Sequence, residues 1–172
     1  LQLTFMTICL GLAGALIQQQ IHHGTPIRIN YATFAACFGL FTLLFYYLPS
    51  MFISKIASPL FTLILDILNT IFFLCGGIAL AASLGGNNCT NWRFLHHSPY
   101  TNGGAAPDGG YGQIKRCREA NSLTAFLWFT AAMWFANLIL SAMILGRKRA
   151  QESHRQVNTK GFRDGSGLMR QV

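Results

Sequence analysis

Four stretches of the chain, residues 1–17, 30–48, 60–84 and 121–145, hold a single charged side chain between them, Asp66. Each is about long enough to cross a hydrocarbon core of roughly 30 Å. A soluble domain of this size would place its apolar residues along one helix face or alternate them along strands, whereas these stretches are apolar nearly all round. The fold class expected is therefore all-α, a four-helix transmembrane bundle. The first stretch starts at Leu1 without an initiator Met, so residues are expected to precede it. Its Ala13-Gly14-Ala15 also fits a signal-peptidase site, but the segment remains in the chain and is read as a span.

Asp66 is the residue that most needs explaining. A carboxylate at the centre of a helix opposes insertion by roughly 3 kcal/mol. The fourteen Leu, Ile and Phe residues between Leu60 and Leu84 favour insertion by about 4 to 8 kcal/mol, so the span still forms. An acidic residue inside a span is a functional candidate by default. Asn69 follows one turn later. Asn137 in the fourth span lies at a matching depth, both about 11 Å from the same end of the bundle. Asp66, Asn69 and Asn137 are accordingly expected to form a hydrogen-bonded intramembrane cluster, joined by Thr7 of the first span. Such a cluster acts as interhelical glue, recognises a lipid or sterol headgroup, or conducts an ion. The third use would ordinarily need further ionisable groups, and the other acidic residues lie outside the spans.

Orientation follows from the basic residues. Beyond Leu145 the tail, 147–172, carries Arg147, Lys148, Arg149, Arg155, Lys160, Arg163 and Arg170 against Glu152 and Asp164. The positive-inside rule places it in the cytoplasm, and four spans return the N-terminus to the same side. The connection Pro49 to Pro59 with Lys55 is then cytoplasmic, and loops 18–29 and 85–120 face out. The long outer loop has a smaller basic surplus of its own, Arg93, Lys115, Arg116 and Arg118 against Asp108 and Glu119. Arg147, Lys148 and Arg149 are close enough to the bilayer to contact anionic inner-leaflet lipid. The rest of the tail, through Gly165-Ser166-Gly167, reads as disordered. Phosphorylation at Ser153, Thr159 or Ser166 would weaken its attraction to anionic lipid.

Cysteine placement fits this topology. Cys9, Cys37 and Cys75 lie within spans as small apolar packing residues. Cys89 and Cys117 close a Gly-, Asn- and Pro-rich outer loop, where a disulfide would contribute roughly 3.6 kcal/mol in the chain-entropy model. Two reduced thiols are the alternative if that loop were cytosolic. Asn88-Cys89-Thr90 fits the N-glycosylation sequon, with Asn88 as acceptor, but its central Cys is claimed by the disulfide. His22-His23 and His96-His97 invite a metal reading, yet no carboxylate or thiolate stands at ligand spacing, so no metal and no cofactor are expected. Gly11 with Ala15, Gly77 with Ala81, and Ala142 with Gly146 are small-xxx-small pairs suited to close helix packing. Phosphate loops, nucleophile sets and paired carboxylates are missing, so no enzyme is expected. The net charge of +8 is accounted for by topology without a nucleic-acid partner.

Several segments together carry a family likeness. They are Arg28-Ile29-Asn30-Tyr31 opening the second span, Phe34-Ala35 through Gly39 and Phe41 within it, and Leu65-Asp66-Ile67-Leu68-Asn69 in the third. Cys89, Cys117-Arg118, Ala125-Phe126-Leu127 and the terminal Gln171-Val172 complete the set. In order and spacing the chain resembles the fungal non-classical export protein family of tetraspan MARVEL-domain proteins. Leu43 stands near a place where some members carry an acidic residue, and the tail matches only at its last residues. The resemblance implies a multi-pass plasma-membrane protein of fungal cortical domains, the eisosomes. It implies a part in organising them, in the response to sphingolipids and in unconventional protein export. Its expected partners are membrane lipids, sphingolipid or sterol among them, and other proteins of the same membrane domain, a further copy or a larger complex included. An accessory subunit of a larger membrane enzyme or pump, and a small transporter or channel using Asp66, are the alternatives from other classes.

Overall fold

Four long helices account for the apolar stretches, and each starts or stops where the local chemistry requires it. In the computed structural model, described for residues 1–20, 24–52, 58–86, 88–101 and 111–168 (side chains of 51, 111 and 157–168 excepted), α1 spans Gln2–Gln18 and α2 spans Ile27–Thr42. A π-helical segment, Leu43–Tyr47, and a short α3, Leu48–Phe52, continue α2. Helix α4 spans Pro59–Leu84. Proline opens it, where the missing N–H costs nothing, and Gly85 closes it in the left-handed region at φ 59°, its N–H bonded to the Ala81 carbonyl. A short α5, Trp92–His97, is capped by the Asn91 side chain and leads through a 3₁₀ turn, Pro99–Thr101, towards α6, Tyr111–Leu168. Three of these segments are long and apolar enough to cross a membrane, Ile27–Ser50, Pro59–Leu84 and part of Gly112–Gln156, and α1 is a shorter apolar helix.

The helices pack in a ring, α1 against α2, α2 against α4, α4 against α6, and α6 back against α1. Its core inverts the size pattern of a soluble bundle. Small residues line the interior, Ala13, Ala32, Ala35, Ala36, Ala120 and Ala131 among them, around the larger Met6, Phe73, Leu127 and Trp134. Bulky apolar residues face outward from α2, α4 and α6, including Phe34, Phe41, Phe45, Ile71, Ile78, Phe129 and Phe135. In water that surface would be an aggregation site; in lipid it is the solvent-matched face, and association rests on close packing and internal polar contacts.

The segments outside the apolar stretches carry more helix than their composition suggests. Within the expected outer segment 85–120, α5 and the first turns of α6 are helical. The tail, expected to lack regular structure, continues α6 as helix to Leu168. Residues 147–160 contain no proline and are rich in Arg, Lys, Gln, Ala and Glu, which propagate a helix already nucleated within the span. Lys55 and His22-His23 lie outside the described residues.

The small-residue pairs also sort differently from the sequence pattern. Gly77 packs under the Trp128 ring, where an added Cβ would lie 3.4 Å from the indole. Gly11 and Gly146 have nothing within 4 Å of that position and face away from the bundle. The tightest approach is at Gly39, where a Cβ would fall 2.6 Å from the Met6 sulfur and 2.9 Å from the Phe73 ring. Gly39→Leu is therefore expected to destabilise the bundle by about 1 to 3 kcal/mol through overpacking, while Gly11→Leu leaves it unchanged. Thermal unfolding of both variants in detergent checks the contrast.

Candidate functional site

Asp66 is fully buried on α4, within reach of two neighbouring helices. The Tyr47 hydroxyl donates to its Oδ1, and the Ser141 hydroxyl of α6 donates to its Oδ2. Both carboxylate oxygens are thus held, one from the α2 side and one from α6. The π-helical turn explains how Tyr47 arrives there. Thr42 already faces α4, and the wide turn after it carries Tyr47 round to the same side. One turn along α4, the Asn69 amide donates to the Thr42 hydroxyl at 3.3 Å and to the Leu65 carbonyl at 2.9 Å. Thr70 donates back to the Asp66 carbonyl at 2.6 Å. Trp134 of α6, fully buried, caps this layer, its ring 6.0 Å from that of Tyr47. Tyr46, next in sequence, meets the Thr62 hydroxyl at 2.8 Å and ties the far end of the same helix pair.

Two of the three residues expected in this cluster are present, Asp66 and Asn69, both fully buried. Asn137 is half-buried and makes no hydrogen bond among the described residues. Its place is taken by Ser141, one helical turn away, whose hydroxyl reaches Asp66. Thr7 is exposed and bonds the Thr4 carbonyl within its own helix, so α1 contributes nothing to the layer. Tyr47, Thr42 and Ser141 escaped the sequence reading because neutral hydroxyls are common in spans and carry no charge to draw the eye. The available signal was depth, since all three lie at the level of Asp66 on facing helices.

The opposite end of the bundle is closed by a buried cation and a disulfide. Arg116, 2% exposed, donates to the Leu16 carbonyl at 2.9 Å, the Gln20 side chain at 2.7 Å and the Tyr100 carbonyl at 3.2 Å. It thereby satisfies a carbonyl at the C-terminus of α1 and pins the 3₁₀ turn to α6. Cys89 and Cys117 are bridged, with Cα atoms 5.7 Å apart, and Leu95 packs beside them. Asn88 is exposed next to the bridge. His97 contacts the Arg93 carbonyl through Nδ1 at 3.1 Å, and His96 lies against Trp92 with ring centroids 4.2 Å apart. Arg147, Lys148 and Arg149 are exposed on α6 immediately beyond its apolar stretch. Cys9 is buried, its sulfur 3.9 Å from the Thr130 hydroxyl, while Cys37 and Cys75 face outward.

The membrane-associating MARVEL domain matches residues 1–140, which take in α1 to α5 and the first half of α6. The chain is 32% identical over 137 residues to non-classical export protein 2 of Saccharomyces cerevisiae, spanning 80% of this chain and 73% of that protein. The chain belongs to this family of MARVEL-domain membrane proteins. Non-classical export protein 102 of Candida albicans is 34% identical over 143 residues, 83% of this chain and 78% of that protein. A Schizosaccharomyces pombe homologue of non-classical export protein 2 is 29% identical over 143 residues, 83% of this chain and 73% of that protein. No solved structure matches. As a MARVEL domain the chain is a multi-pass membrane protein; Tyr47, Asp66, Asn69 and the Arg116 clamp fall inside the matched region, and Ser141 stands one residue beyond it.

Two measurements check this geometry. Tyr47→Phe removes one of the two donors to a buried carboxylate and is expected to cost about 1 kcal/mol of bundle stability. Asn137→Ala, by contrast, should change it by less than about 0.5 kcal/mol. Thiol labelling of the denatured, unreduced protein should find the three free cysteines, Cys9, Cys37 and Cys75, and all five after reduction.

Proposed function

We propose that this chain is a non-enzymatic organiser of the fungal plasma membrane, resident in eisosome-type cortical domains, with both termini in the cytoplasm. It responds there to sphingolipid status and contributes to the export of proteins lacking signal sequences. The family relationship supports this reading, since the relatives are named for non-classical export. The observation that carries the choice against transport is the hydrogen bonding of Asp66. Both carboxylate oxygens are taken by hydroxyls of neighbouring helices, so the residue acts as an interhelical latch.

The remaining features suit lateral association. A ring of outward aromatic and aliphatic side chains meets lipid, little mass stands outside the bundle, and Arg147, Lys148 and Arg149 are positioned for anionic inner-leaflet lipid. The same basic run supports the cytoplasmic placement of the C-terminus. A second reading, an accessory subunit of a larger membrane enzyme or pump, draws on the open outward positions of Gly11 and Gly14 on α1, where another helix could approach closely. Stoichiometric co-purification of such a partner would favour it.

Imaging of a tagged copy in its native cell separates the two. The organiser reading expects static cortical patches whose number or shape changes when the gene is removed. Even distribution of the protein, with patches unaffected by its loss, contradicts it.

A further inference from the structure

Arg28 is the one basic residue of the second apolar segment, and its setting differs from that of Arg116. Its Nη1 donates to the Ala79 carbonyl of α4 at 3.2 Å. Ala79 lies just over one turn inside the end of α4 at Leu84, a depth at which an arginine reaches the headgroup region. A guanidinium carries five N–H donors, and no further acceptor meets Arg28 among the described residues. No carboxylate there pairs with it either; the ion pair among the described residues is Lys115 with Glu119, at 3.7 Å. Among the described residues, Arg28 thus stands exposed with most of its donors unspent.

The space beside it is a shallow, open groove. A cleft of about 600 Å³ opens between the start of α2 and the end of α4, lined by Thr25, Ile27, Arg28, Ser83 and Tyr100. The first turn of α2, which borders the cleft, contains no acidic residue to oppose the positive end of a helix of 16 residues. Ile27, on the rim, is 84% exposed. An unpaired guanidinium and an open helix N-terminus call for an anion with several acceptor oxygens, and the apolar rim calls for a hydrocarbon chain attached to it.

We propose that this cleft binds the phosphodiester headgroup of one membrane lipid, with Arg28 forked onto the phosphate oxygens and Ile27 against the proximal acyl chain. The site is separate from the Asp66 layer and from the basic run at Arg147, and it does not depend on the organiser reading. A free phosphate ion shares the headgroup chemistry but gains nothing from the apolar rim, so the lipid is the occupant.

Native mass spectrometry of the full chain in detergent tests this, with phosphatidylglycerol, phosphatidylcholine and diacylglycerol added in turn. Retention of one phospholipid, with diacylglycerol left unbound, is expected. Arg28→Gln should lower the bound fraction about tenfold, the scale of a lost charge-assisted contact. Thr25→Glu, which leaves the Arg28 to Ala79 bond in place and puts a carboxylate beside the guanidinium, should lower it likewise. The triple variant Arg147→Gln, Lys148→Gln, Arg149→Gln should bind as the parent does. Undiminished binding in both Arg28→Gln and Thr25→Glu, or equal retention of diacylglycerol, would overturn the proposal. Displacement of the lipid by millimolar inorganic phosphate would assign the site to a free anion instead and would equally overturn it.

Discussion

A carboxylate placed in hydrocarbon has to be satisfied from within the protein, and in this chain that requirement organises the bundle. Asp66 recruits a hydroxyl from the α2 side and another from α6, so three of the four helices meet at one residue. The π-helical turn at Leu43–Tyr47 is intelligible on the same ground, because a regular α-helix continuing from Thr42 would turn Tyr47 away from α4. Asn69 and Thr42 extend the contact by one turn. Above this layer the packing is steric, with Gly39 admitting Met6 and Phe73 to the bundle axis.

The first helix is held by other means. It shares no hydrogen bond with the Asp66 layer; its buried stripe of Met6, Cys9, Ala13 and Leu16 packs against α2 and α6, and its C-terminal carbonyl is bound by Arg116. Arg116 and the Cys89–Cys117 bridge both sit in the first turns of α6. One helix therefore carries the attachment of the extramembrane segment at one end and the Ser141 contact to Asp66 towards the other. The consequence for function is a bundle clamped at both ends, with its variable chemistry on the outside.

The fold class was legible in the sequence because hydrocarbon thickness imposes a length and a composition that few other folds imitate. The four apolar stretches, the buried Asp66 and Asn69, and the relation to the MARVEL family could all be read from it. What escaped was whatever depends on helix rotation. Apolarity all round a helix conceals which side faces inward, so the sequence offers Asn137 and passes over Ser141, and offers Gly11 rather than Gly39 as a packing position. Arg116 counted as an outer charge because its three acceptors, on Leu16, Gln20 and Tyr100, come from distant parts of the chain. The tail looked disordered by composition, but helix propagation out of a span depends on what precedes it.

The central claim is that Asp66 and Ser141 form a net favourable bond between α4 and α6. A double-mutant cycle with Asp66→Ala, Ser141→Ala and the pair, read by reversible unfolding in bicelles, measures it directly. The expected coupling is about 1 kcal/mol, within the range known for hydrogen bonds between spans. Additive single losses, with no coupling between the two positions, would contradict the latch between α4 and α6.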